Sequence, residues 1–157
     1  MVDDIDDATF YEQVAPELIR FATALVGRVD AADVFSDAVV NALAAPGWPE
    51  VTNRRAYLYR AVFHEAQRWS RRARRRPELE ARAEGLRNAD RWELPSFRPD
   101  VLGAVAELSV RQRAVVVLTY WADLDPAGVA VRLGIAEGSV RRHLARARAR
   151  LREVLDA

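Results

Sequence analysis

The chain has 157 residues, half of them apolar, with no cysteine and only two histidines, His64 and His143. That length builds one ordinary domain or two small ones with a modest core; the missing thiols exclude a disulfide framework and a thiolate metal site, and two histidines do not make a histidine-rich one. The net charge of +1 conceals a segregation, because residues 1–50 hold two Arg against ten Asp and Glu while residues 51–76 hold nine Arg against the single Glu65. Such a split favours a polyanion on one surface and a basic or polar protein on another.

In chain order, Phe10, Val14, Leu18, Phe21 and Leu25 recur at steps of three and four and predict a first helix. Gly27 punctuates, and Asp30 reads as the cap of a second helix through Val34, Ala38, Val39 and Leu43. Pro46-Gly47-Trp48-Pro49 is a turn. A third helix from about Asn53 carries Tyr57, Leu58, Ala61, Val62 and Trp69 and runs into Arg71, Arg72, Arg74, Arg75 and Arg76 before Pro77 stops it. From Pro77 to Pro99 the periodicity fails, which predicts a flexible linker containing at most a short helix over 78–87 and a Trp92 that docks elsewhere. Val101, Val105 and Leu108 then begin a second helical block, followed by a buried helix bearing Val115, Val116, Leu118, Thr119 and Trp121.

The last 32 residues are the most informative. Pro126 to Leu133 has the length of a short helix, Gly134-Ile135 supplies a turn, and Glu137-Gly138-Ser139 opens a helix to Leu155. Along it Val140, Leu144, Ala147 and Leu151 form an apolar stripe, and Arg141, Arg142, Arg146, Arg148, Arg150 and Arg152 occupy the remaining surface. A short helix, a glycine turn and a basic amphipathic helix place the second helix in the major groove of DNA, where Arg pairs with a guanine edge or neutralises phosphate. The expected architecture is all-α: a helical domain over 5–76, a linker over 77–99 and a helix-turn-helix domain over 100–157.

These residues resemble a family. Glu107-Leu108-Ser109-Val110-Arg111-Gln112-Arg113, then Val116-Val117-Leu118, Leu133 through Arg141 and Ala147-Arg148-Ala149-Arg150-Leu151, are similar to the promoter-binding C-terminal domain of extracytoplasmic-function (ECF) sigma factors. In the first block, Tyr11 to Arg28 followed by Asp30-Ala31-Ala32-Asp33-Val34-Phe35-Ser36-Asp37-Ala38 resembles the polymerase-binding domain of that family. Tyr57-Leu58-Tyr59-Arg60 leading into the arginine run resembles its promoter-melting helix. The resemblance implies that Asp33, Val34 and Asp37 meet the clamp helices of core RNA polymerase. It implies that Tyr57, Arg60, His64, Arg68, Arg71 and Arg72 meet the downstream, minus-ten promoter element, and that Glu137, Gly138, Ser139, Arg141, Arg142, His143 and Arg146 read the upstream, minus-thirty-five element. Opening DNA calls for cations on the backbone and aromatic or pocket-forming surfaces for an extruded base. The chain departs from the family at Ala32 and Ser36, where Glu and Gln are usual, at His64 and Arg68, where Asn and Asp are usual, and at Thr119, where many members place an Arg.

The expected partners are core polymerase, promoter DNA and an anti-sigma factor. No metal or cofactor is called for, and no nucleophile with a base, metal cluster or phosphate-cradling glycine loop points to an enzyme. The acidic start, Met1-Val2-Asp3-Asp4, and the lack of a long apolar run predict a cytoplasmic protein that engages no membrane. An operator-binding regulator with the same helix-turn-helix, or a sigma-like protein that no longer initiates, are the competing readings. The first of these needs neither the acidic block nor the separate arginine-rich helix.

Overall fold

A computed structural model describes residues 6–75 and 99–156 of the chain. The predicted short helix over 78–87 and Trp92 lie outside the described residues, as does the linker apart from its last residue, Pro99. Helix α1 spans Asp7–Val26, capped by Asp6, whose Oδ1 accepts from the Ala8 amide at 2.6 Å. Val14, Leu18, Phe21 and Leu25 are its buried stripe, as their spacing predicts. Gly27, at φ 83° and ψ 171°, ends α1 and starts α2 (Arg28–Ala44) in a single residue, a conformation reserved for glycine. Asp30 is therefore not the cap the sequence suggested. With Gly27 turning the chain, α2 begins three residues earlier, its first bond runs from the Ala31 amide to the Gly27 carbonyl, and Asp30 sits buried in the first turn.

A 3-10 turn at Trp48–Glu50 leads to α3 (Arg54–Arg75), whose start is held by Asn53 Oδ1 accepting from the Ala56 amide at 3.0 Å. Helices α1, α2 and α3 pack on one another around Phe21, Leu18, Val34, Ala38, Val62 and Phe63. The second block has four helices: α4 (Pro99–Ala106), α5 (Val110–Tyr120), α6 (Pro126–Leu133) and α7 (Glu137–Leu155). A capping box, Ser109 with Gln112, starts α5, and Asp125 with Pro126 at the first helical position starts α6. Gly134 closes α6 in the left-handed region at φ 67°.

Five consecutive residues of α5, Ala114 to Leu118, are buried, because α7 covers one face of that helix while α1 and α3 cover the other. The two blocks thus share one continuous apolar cluster. Arg113, 6% exposed, crosses between them: it donates to the Leu25 carbonyl at the end of α1 and to the carbonyls of Ala106 (3.1 Å) and Leu108 (2.8 Å). Burial pulls its guanidinium down to about 10, which leaves it charged at neutral pH.

Candidate nucleic-acid interface

Three surfaces carry the residues singled out by sequence. On α2, Asp33 and Asp37 are exposed one turn apart. Val34 is only 3% exposed and points into the bundle, so it supports this surface from beneath and is not itself a contact residue. An α-helix has 3.6 residues per turn, and the position following an exposed one is rotated by about 100°. Sequence reasoning missed Val29 and Val40, 53% and 65% exposed, which stand at the same helical spacing on either side of the two aspartates. Two bare valines flanking two carboxylates make a surface with an apolar as well as an acidic component, and the feature that marks them is their period of three and four from Asp33 and Asp37.

On α3, Tyr57, Arg60, His64 and Arg68 line one side of a groove of about 290 Å³ whose other wall is Ala38, Asn41 and Ala42 of α2. Tyr57 is half-buried and held edge-on against Trp48, 5.7 Å between centroids, with Arg54 over the same indole at 5.0 Å. Trp69, by contrast, belongs to the core. In the groove lies a side chain the sequence reading did not assign: Glu65, buried, accepts from Arg68 at 2.7 Å and from Asn41 at 3.3 Å. Its signal in the sequence is its isolation, one carboxylate among nine arginines. The neighbouring His64 is held below its ordinary range, first by burial and then by Arg68 and Arg60, with Glu65 opposing. Small alanines on the wall, a flanking aromatic and a buried carboxylate give the groove room and hydrogen-bonding capacity for a planar heterocycle bearing an amino group. Arg71 and Arg72 extend the cationic face toward the end of α3, both exposed.

On α7, Glu137, Gly138, Arg141, Arg142 and Arg146 are exposed and Ser139 and His143 half-buried, while Val140, Leu144 and Ala147 lie in the core. This is the two-sided helix its sequence predicts. Arg141 is tethered to Glu137 at 2.6 Å, and Arg142 donates to Ser139 Oγ at 3.1 Å. His143 is held below its ordinary range by burial, then by Arg111 of α5 and by Arg146 and Arg142. Three arginines around a neutral imidazole concentrate positive potential at one end of the helix. No cluster of three or more His, Cys, Asp or Glu suited to a metal exists among the described residues, and none of their helices is long and apolar enough to cross a membrane.

The chain is similar to known proteins over most of its length. Residues 10–76 match the family model described as sigma-70 region 2, and residues 99–151 match the one described as sigma-70, region 4. An RNA polymerase sigma-E factor of Streptomyces avermitilis is 34% identical over 147 residues, covering 89% of this chain and 79% of the relative. The sigma-E factor of Streptomyces antibioticus is 33% identical over 132 residues, 82% of this chain and 72% of that protein. Among solved structures, the sigma factor RpoE of Bartonella quintana, crystallised with the anti-sigma factor NepR, superposes with a TM-score of 0.63 at 21% identity over 96% of both chains. CnrH, solved with the cytosolic domain of CnrY, gives 0.61 at 20% identity, covering 96% of this chain and 90% of its own.

Proposed function

As the chain belongs to the sigma-70 family, in its extracytoplasmic-function branch, a family of transcription initiation factors and not of enzymes, we propose that it works by contact alone, with no catalysis of its own, and that its three surfaces divide the labour of promoter recognition. The exposed face of α2, with Asp33 and Asp37 flanked by Val29 and Val40, docks on the clamp helices of core RNA polymerase. The groove between α2 and α3 receives the minus-ten element, with Arg60, Arg68, Arg71 and Arg72 on phosphates and Tyr57, His64, Asn41 and Glu65 around an extruded base. The exposed face of α7 reads the minus-thirty-five element through Ser139, Arg141, Arg142 and Arg146. Residues 5–76 and 100–157 are the two working domains of this reading, joined by the linker over 77–99. The protein acts in the cytoplasm, where the polymerase is.

The observation that carries this reading is the separation of charge by surface: carboxylates on the outer face of α2, arginines on the α3 groove and on α7. Each weak contact becomes strong when the others are held on one rigid DNA. The neighbour RpoE, crystallised with the anti-sigma factor NepR, supports an inhibitor of the same kind for this chain. The test is core polymerase binding by the full chain and by an Asp33→Arg, Asp37→Arg variant. Binding lost in the variant, with the thermal midpoint unchanged, supports the assignment of α2; equal binding removes it.

A further inference from the structure

Where α1, α3, α5 and α6 meet, the helices leave a cavity of about 490 Å³ that opens to solvent. None of its lining residues belongs to the surfaces already assigned to polymerase or DNA. The wall is apolar and aromatic: Phe21 of α1, Tyr59 of α3, Leu118 of α5 and the half-buried Trp121 that ends α5. Phe21 and Tyr59 are both buried and pack ring against ring at 5.0 Å, so that side is fixed. The opposite side is the loop from α5 to α6, and it is fixed as well. There the Ala122 amide donates to the Val117 carbonyl at 3.2 Å and the Leu124 amide to the Leu118 carbonyl at 3.1 Å, with Asp123 between them in the left-handed region at φ 53°. Aspartate enters that region more readily than most side chains. Cavities that bind small molecules run to about 300–1,000 Å³, are largely pre-formed, and set a few polar groups in an apolar and aromatic wall. This one has that size and that lining.

Three charged side chains reach the cavity: Glu17, Arg20 and Arg132. Glu17 is already engaged, accepting from the Tyr59 hydroxyl at 2.9 Å and pairing with Arg55 at 2.9 Å. The two arginines are not. Arg132 is half-buried, its guanidinium over the Tyr59 ring at 4.9 Å, and Arg20 is exposed; neither has a carboxylate partner among the described residues. A guanidinium lying on an aromatic face keeps the N–H donors at its edge for a second partner. Two such forks beside an apolar, aromatic wall suit a molecule with a flat apolar body and one anionic group that accepts from both. A carboxylate meets that description. A doubly charged phosphate fits less well, because its second charge lies near Glu17 with no third cation on the lining to answer it.

We propose that this cavity is a binding site for a small aromatic carboxylate, held at its charged end by Arg132 and Arg20 and along its ring by Trp121, Phe21 and Leu118. Burial of the ring against those three side chains supplies the affinity, and the two guanidiniums set the preference for an anion. The site gives the chain an input for a small molecule. It lies apart from the surfaces assigned to polymerase and DNA, so it stands independently of how those surfaces are read.

The test uses the full chain and two probes of nearly the same shape, naphthoate and its neutral amide, naphthamide. Each is titrated at neutral pH and followed by nuclear magnetic resonance through the indole N–H of Trp121, a signal that Trp121→Phe identifies by its loss. The expected result is a saturable, one-site shift of that signal, with naphthoate bound roughly ten-fold more tightly than naphthamide, the ratio a charge-assisted hydrogen bond sets. Arg132→Gln should remove most of that preference and leave naphthamide binding as it was. Arg20→Gln, at an exposed position, should lower naphthoate affinity about two-fold; it also guards the test should Arg132→Gln disturb the packing on Tyr59. Absence of a saturable shift at Trp121, equal affinity for the two probes, or a preference that survives in the folded double variant Arg20→Gln, Arg132→Gln overturns the proposal. So does naphthoate that shifts the arginine face of α7 and leaves Trp121 unmoved, which is an anion drawn to positive surface and nothing more.

Discussion

Replacing Arg141 by Ala separates base reading from phosphate neutralisation on α7. In the free chain its guanidinium is bridged to Glu137 at 2.6 Å, with side chains 64% and 46% exposed. An exposed pair of this kind contributes about 0.3–0.5 kcal/mol, small enough that folding stability should hardly change. A bidentate contact with a guanine edge, by contrast, contributes about 1–3 kcal/mol of discrimination. Surrendering the Glu137 bridge on binding subtracts about 0.5 kcal/mol, so the net loss on the preferred sequence should be about 0.5–2.5 kcal/mol, roughly 2- to 70-fold. The assay is fluorescence anisotropy on a set of upstream duplexes, each changed at one base pair, read at several salt concentrations. The variant should lose affinity on the parent duplex and lose its preference at one position, while other positions keep theirs. An equal loss on every duplex, with a salt slope shallower by about one, would refute base readout and leave Arg141 as a phosphate contact.

Four further outcomes are expected. Val34→Asp should unfold the first block by burying an unpaired carboxylate at a 3% exposed site, read as a large fall in the thermal midpoint, whereas Asp33→Arg should leave that midpoint in place. Leu133→Ala, at a fully buried site between α6 and its neighbours, should cost about 2–5 kcal/mol in a urea melt. Tyr59→Phe removes the hydrogen bond to Glu17 and should cost about 0.5–1.5 kcal/mol. His64 and His143 both have folded values below the ordinary 6.5, so the unfolded chain binds more protons than the folded one. Stability should therefore be fully present above pH 6.5 and fall as the pH drops below it, with His143→Gln flattening that fall in urea melts.

The helices were legible because each has its own period and punctuation. The α7 stripe at Val140, Leu144 and Ala147 and the α1 stripe at Val14, Leu18, Phe21 and Leu25 are buried where their spacing places them, and Gly134 turns the chain where a helix-turn-helix requires. Local pattern misplaced the start of α2, since Asp30 is a good capping residue by type but Gly27 caps by backbone geometry alone. Val34 shows a different limit. A motif matched to a family names a stretch of chain, and only the helical phase separates the residue that faces a partner from the one that faces the core.

What the sequence did not disclose is what depends on contacts between distant segments. Glu65 and Asn41 are 24 positions apart and meet across a groove. Arg60 and Val131 are 71 apart, and neither the length nor the composition of the chain between them announces that an arginine assigned to DNA also caps a helix of the other block. The run Val115 to Leu118 did carry a trace of this packing: a helix apolar on every side must be covered on every side, and α1 and α3 supply the second cover.

The most direct test of the whole account is run-off transcription by core RNA polymerase supplied with this chain and a promoter library randomised over both elements. The account predicts transcripts enriched for templates that share two conserved blocks at fixed spacing, lost when Asp33→Arg, Asp37→Arg replaces the parent and altered only in the upstream block when Arg141→Ala does. Enrichment of a single palindromic site with no dependence on the α2 carboxylates, or no polymerase-dependent transcript at all, would contradict it.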